Sequence, residues 1–502
     1  MKNMKRNMLA ASLALMAGSV MAQDFRIGLQ EDPDMLDPHR ARTYVGRIVF
    51  TSLCDKLVDI DQKLQITPQL ATSWAWSADN KVLTFKLREG VTFHDGKPFD
   101  AAAAKANIER ALTLKDSMRR SEMSSIESAE APDAQTLVLK LKQPDATLLA
   151  ALTDRAGMML SPATFTDDTA AVARSPVCSG PYKFVSRVQN DRIVLEKYDQ
   201  YYDAKNYAFK RIIFRPIPDT TVRLSNLRAG DLDILERLNP SDVTQVKGDK
   251  SVQFMPVSGL GYVRFMFNIG NSERAKANPF NDKLVRQAFA LAVDRNVINQ
   301  VVGENTFVPA QTAYPAASPF HDEKKFPVTG RDVAKAKALL KQAGKPTVKA
   351  ELVYGNNTTT SAIAEMVQAM AAEAGFQLSL RPTEYAAMLK ESTSGNFDVQ
   401  LQGWSGRPDP DGNVHTFLTC KGAQNDGRYC NPEVDKLLDQ ARVVTDLAAR
   451  KDLYDRAETI MQDEMPGSYI YYQPWLFVAS TKVQGFTPSP DGMIRLKGVS
   501  LK

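Results

Sequence analysis

Phe397-Asp398-Val399-Gln400-Leu401-Gln402-Gly403-Trp404 alternates apolar and polar side chains, the period of a half-buried strand. The alternation stops at Gly403. Ser405-Gly406-Arg407-Pro408-Asp409-Pro410-Asp411 follows, too rich in Gly and Pro to extend a strand or begin a helix. Trp404, Arg407, Asp409 and Asp411 therefore stand just past the carboxyl end of an expected sheet strand, the position where open α/β sheets bind ligands. A solvated connecting loop held by its prolines is the alternative.

Upstream, 348–354 reads as a strand, 361–374 as a helix aligning Ile363, Val367 and Met370, and 376–380 as a strand again. Helices and strands alternating at this spacing argue for a largely parallel second sheet. Earlier still, 24–30 reads as a first strand, 44–57 as helical, and Leu83, Phe85 and Leu87 as one face of a hairpin arm. Asp100 stands at an N-cap position before an Ala-rich helix. Asp219 caps a helix that ends at Gly230, with Val222, Leu224 and Leu227 on one side. Residues 258–268 form a long strand that changes neighbourhood, and 475–485 returns to the first half. Two lobes joined by crossing strands enclose a cleft, and ligand sites concentrate at such interfaces.

At 502 residues the chain exceeds what one hydrophobic core usually organises. Its 43% hydrophobic and 24% charged residues describe a soluble globular protein. Lys2, Lys5 and Arg6, the apolar run Met8–Ala17 and the small residues of Val20-Met21-Ala22 predict a cleaved secretory signal over 1–22, with Gln23 as the mature N-terminus. The apolar run is too short for a bilayer-spanning anchor. No cysteine follows it to carry a lipid, and no later stretch is long and apolar enough to span. The formal charge of +5 includes three basic and no acidic residues of that segment, leaving +2. So small a charge argues against nucleic acid or a membrane surface as partner.

In an oxidising compartment the four cysteines Cys54, Cys178, Cys420 and Cys430 allow two bridges in three connectivities. Cys420 and Cys430 flank a short polar loop that closes easily, which leaves Cys54 with Cys178. A zinc site is the alternative, but no C-x-x-C occurs and His39, His94, His321 and His415 are dispersed. His94 in FHDG is expected to fix a turn.

Catalytic readings of the central loop fail on chemistry. Arg407 stands where a nucleophile elbow around Ser405 needs its last Gly. Asp409, Asp411 and Asn413 mimic an EF-hand, but Val414 and Cys420 replace its Gly and Glu. No H-E-x-x-H or phosphate loop occurs. No cofactor and no catalytic residue is expected. An exported hydrolase and a periplasmic peptide-binding chaperone are the competing functions.

LATSWAWSADNKVLTFKLREGVTFHDGKPFDA (70–101) resembles the N-terminal signature of the family-five extracellular solute-binding proteins, the peptide- and nickel-type receptors of bacterial ABC importers. SGPYKF, DTTVRLSNLRAGDLDI, GYVRFMFN, VRQAFALAVDR, AEMVQAMAAEAGF, GWSGRPDPDG and YCNPEVDKLLDQAR follow in the family's order. The resemblance implies an α/β, two-lobed periplasmic-binding-protein fold with an extra subdomain in the first lobe and the ligand cleft between lobes. Lobe I is expected over 23–258 and 478–502, its extra subdomain over 51–178, and lobe II over 262–474. A small-molecule or peptide ligand would be passed to an inner-membrane permease by a periplasmic monomer. In dipeptide- and oligopeptide-binding members an Asp after the Gly-Trp pair holds the ligand amine; Arg407 takes that position here. An Arg that pairs with the ligand carboxylate aligns near Tyr354. Arg407 offers a planar donor fork suited to an anionic group on the ligand, and Asp409 or Asp411 would receive an amine. Trp404, Tyr44 and Tyr262 are the aromatic pocket candidates.

Overall fold

The computed structural model describes residues 23–502. The predicted signal segment lies outside the described residues.

One mixed sheet runs through the molecule. From one edge its strands are 376–383, 348–355, 399–404, 252–267, 467–480, 234–235, 24–29, 211–216, 192–197 and 182–188. The sequence predicts a separate second sheet, and here the structure differs. Val252–Phe267 and Gly467–Ser480 are long enough to pair with each other and with strands on both sides, so the two halves share a single ladder. Within that ladder, 348–355, 376–383 and 399–404 are mutually parallel, as the alternation of helix and strand requires.

The crossing pair is irregular in the middle. Its register breaks between Ser258, opposite Pro474, and Tyr262, opposite Tyr472. Gly261 sits in this break, where an added Cβ would stand 1.9 Å from the carbonyl oxygen of Trp404. Only a residue without a side chain permits that approach.

Separate apolar cores lie on the two sides of the crossing. One gathers Phe25, Ile27, Ile48, Phe50, Ile212, Phe214, Trp475 and Phe477. Another gathers Phe265, Phe267, Val285, Phe289, Leu352, Val367, Val399 and Leu401. A four-stranded antiparallel sheet of 71–76, 82–87, 136–141 and 126–133 packs with the Ala101–Thr113 helix over a third core. The capping readings follow the local chemistry: the Asp100 carboxylate accepts from Ala103 N, and the Asp219 carboxylate from Val222 N. Val222 itself is 50% exposed while Leu224 and Leu227 are buried, so the apolar side of that helix excludes it. Disulfides join Cys54 to Cys178 and Cys420 to Cys430. His94 sits beside the first, its Nδ1 accepting from Cys178 N and its Nε2 lying 3.0 Å from Gly180 O. Among the described residues no helix is long and apolar enough to cross a membrane.

Candidate ligand cleft

Parallel pairing decides which loops meet. Asp24–Leu29 runs parallel to Arg211–Pro216 and to Ile234–Leu235, with Gly28 opposite Leu235. The carboxyl ends of adjacent strands therefore deliver Gln30 and Glu31 beside Arg237 and Leu238. On the other side of the crossing, the parallel strands 348–355 and 399–404 end together at Gly355 and Trp404. The chain turns at Asn357, whose side chain caps the Thr358–Ala374 helix by accepting from Thr360 N. The two sets of strand ends face one common cavity. Its walls include Glu31, Tyr44 and Arg237 from the first half, and Asn357, Tyr385 and Trp404 from the second. Gln473 and Pro474 of the crossing strand complete it.

Tyr44 and Trp404, both predicted, line this cavity. Tyr44 stacks on Trp475 with ring centroids 4.5 Å apart and donates its hydroxyl to Gly492 O at 2.6 Å. Gly492 has φ +76°, and a Cβ there would come within 2.7 Å of the Tyr44 hydroxyl. Trp404 packs its ring against the edge of Phe417 and donates Nε1 to Asn413 Oδ1 at 2.9 Å.

The other predicted residues lie outside the cavity walls, each for a physical reason. Arg407 turns away from it. Its guanidinium stacks on the Trp404 ring, 4.4 Å from the ring centroid, and its Nε is 3.4 Å from Asp154 Oδ2. Burial, then the neighbouring Arg47, bring the Arg407 guanidinium down to about 10, with Asp154 opposing. The two carboxylates are already paired. Asp409 receives both terminal nitrogens of Arg450 at 3.0 Å, and Asp411 receives Arg442 Nε and Nη2 at 2.7 Å. Bidentate pairs of this kind already balance the charge of a buried carboxylate. Tyr262 is buried between Tyr469 and the loop, donating its hydroxyl to Asn413 O at 2.8 Å. Tyr354 belongs to the second core, although the next residue, Gly355, lines the cavity.

Asn413 organises this loop. Its Oδ1 accepts from Trp404 Nε1 and Arg407 N, and its Nδ2 donates to Arg407 O. Sequence reasoning met Asn413 only as a failed calcium ligand, because its partners are set by the fold. Reasoning from sequence also passed over Glu31 and Arg237. Their signal was available in part: both follow apolar strands, as Trp404 does.

Polar contacts tie the two walls together at the rim. Arg42 donates to Asp426 Oδ2 at 2.5 Å and to Thr393 Oγ1 at 2.8 Å. Arg47 donates to Ser405 Oγ at 2.9 Å while holding Asp154. Burial alone would raise the Asp154 carboxyl; the guanidinium groups of Arg407, Arg47 and Arg155 hold it well below the usual range.

The description "Bacterial extracellular solute-binding proteins, family 5 Middle" matches residues 65–425. The chain is 26% identical to the dipeptide-binding protein of Escherichia coli (strain K12), with 99% of each chain covered. It is 28% identical to the glutathione-binding protein GsiB of Pectobacterium atrosepticum, covering 97% of this chain and 96% of that one. Among solved structures, the periplasmic binding protein DppA from Helicobacter pylori in complex with peptide STSA superposes with a TM-score of 0.86 at 25% identity, over 95% of this chain and 98% of that one. A cleft walled by strand ends from both halves, on a chain matched from end to end, places this protein among the bacterial extracellular solute-binding proteins of family 5.

Proposed function

We propose that this protein captures a small solute, a peptide or a peptide-like compound, in the cavity at Tyr44, Trp404 and Arg237, and delivers it to an inner-membrane ABC permease. The observation that carries the reading is the cavity itself, walled by strand ends from both sides of one crossing pair. Relatives named for dipeptides, glutathione and a bound peptide support the ligand class. In this reading 23–258 with 478–502 is one lobe, 51–178 its added subdomain and 262–474 the other lobe, working as a periplasmic monomer. The separate apolar cores support that division. The rim contacts of Arg42 and Arg47 hold the closed form around the solute.

Mass spectrometry of protein purified without denaturation tests the proposal. A small solute at near one-to-one stoichiometry is expected. Protein that carries none, and that no peptide protects from thermal unfolding, would reject it.

A further inference from the structure

Glu31 and Arg237 are charged side chains of the cavity wall that make no side-chain hydrogen bond among the described residues, Arg237 standing at ion-pair distance from Glu236. Glu31 is 7% exposed, and among the described residues its carboxylate makes no hydrogen bond or ion pair. Arg237 has φ +52°, a left-handed backbone that strains a residue with a Cβ and collects at functional sites. Its guanidinium lies over the Tyr44 ring at 4.5 Å and near Trp475 at 5.2 Å. Its Nε is 3.3 Å from Glu236 Oε2, yet it makes no hydrogen bond among the described residues. Stacking fixes the plane of a guanidinium and leaves its in-plane N–H donors free for a carboxylate. Although their strands are adjacent, Glu31 and Arg237 do not come within ion-pair distance of each other.

Burying an unpaired carboxylate in a wall is costly unless something meets it. An acidic and a basic side chain that face one cavity without pairing with each other are suited to a third body carrying both charges. The capped amino end of the Thr358–Ala374 helix, with Thr359 and Thr360 in the same wall, adds positive potential for the anionic part.

Resting on the solute-receptor reading, we infer that Arg237 holds the carboxylate and Glu31 the ammonium group of a zwitterionic, amino-acid-derived ligand, such as a short peptide with free termini. These two residues then take the part expected of Arg407, Asp409 and Asp411, which lie outside the cavity wall beside Asp154, Arg450 and Arg442. Burial drives the Glu31 carboxyl up to about 8, with Arg237 opposing and Glu236, Glu384 and Asp34 adding to the rise. An arriving ammonium group reverses that balance, ionises Glu31 and expels its proton.

The test uses the full mature protein, stripped of bound solute by reversible unfolding, and a panel of di- and tripeptides. Each peptide is offered free, N-acetylated and C-amidated. Calorimetry is expected to show that either cap weakens the best binder by roughly thirtyfold or more. Arg237→Gln should lose affinity for the free peptide and cease to distinguish it from the amide. Glu31→Gln should cease to distinguish it from the acetylated form. Arg237→Lys, which keeps the charge, should recover part of the loss, and circular dichroism confirms that each variant is folded. Capped peptides bound as tightly as free ones, unchanged affinity in both Gln variants, or no binder in the panel would each overturn the inference. A co-purified solute lacking an amine or an acid would overturn it too, while leaving the solute-receptor reading intact.

Discussion

Arg407 Nε lies 3.4 Å from Asp154 Oδ2, and the same carboxylate oxygen accepts from Arg47 Nε at 2.8 Å. Two guanidinium groups from distant parts of the chain thus share one buried carboxylate at the edge of the cleft. Arg47 also reaches Ser405 Oγ, so the loop after Trp404 is held from the other side of the molecule.

Arg407→Ala is therefore expected to act on stability more than on ligand affinity. Asp154 keeps Arg47, so the loss should be about 1–3 kcal/mol, below that of a buried pair broken outright. Affinity for the solute should fall less than about tenfold, the scale of an indirect effect. Urea unfolding and calorimetry on one preparation separate the two. A thousandfold loss of affinity at unchanged stability would make Arg407 an anchor after all.

Arg42→Ala removes the bridge to Asp426 and Thr393. If that bridge helps hold the cleft shut, small-angle scattering of the ligand-bound variant should give a larger radius of gyration than the bound parent. Ligand should also raise the melting temperature of the variant less than that of the parent, because closure and binding are linked. Identical scattering curves in the bound state would argue that Arg42 only decorates the rim.

Glu31 predicts a pH dependence of definite sign. Its carboxyl ionises at the ordinary value of 4.5 in the unfolded chain and at about 8 in the folded one. The folded state thus holds the proton through that interval. The associated stability is fully present below pH 4.5 and is lost as pH rises to about 8, on the order of a few kcal/mol at most. Asp55 and Glu458, each raised to about 7 chiefly by burial, slope the same way. Glu31→Gln should flatten part of the fall in melting temperature between pH 5 and 8. Calorimetry in buffers of different ionisation enthalpy should find proton release on binding in the parent and none in Glu31→Gln. Parallel pH profiles for the two proteins would remove the basis for this assignment.

The two disulfides should differ in weight. Cys54–Cys178 closes a separation of 124 residues and Cys420–Cys430 one of 10. Loop-closure entropy then assigns about 5 kcal/mol to the first and about 3 kcal/mol to the second. Paired Cys→Ser variants compared by urea unfolding test the order. Loss of the second bridge should mainly raise hydrogen exchange in 421–429. An equal or larger loss of stability from the shorter loop would contradict the entropic account.

Periodicity and capping made much of the local structure legible. The strand ending at Trp404, the helix patterns after 348 and the caps at Asp100 and Asp219 each depend on residues a few positions apart, but the half-buried face expected from the alternation is absent: 399–404 lies inside the sheet and buries Gln400 and Gln402 as well. The strand end at Trp404 followed from the same local logic, and it lines a cavity wall. Side-chain partnership is not local. Asp409 and Asp411 look free in the sequence because Arg450 and Arg442 lie 41 and 31 residues away. Arg407 looks like an anchor because Asp154 stands more than 250 positions earlier. Glu31 and Arg237 became visible as a pair only once parallel pairing of Gly28 with Leu235 set their strand ends side by side. Composition and period report what a residue prefers to face. Which charge it meets there is settled by strand order, since that order brings remote segments within the few ångströms over which ion pairs and hydrogen bonds act.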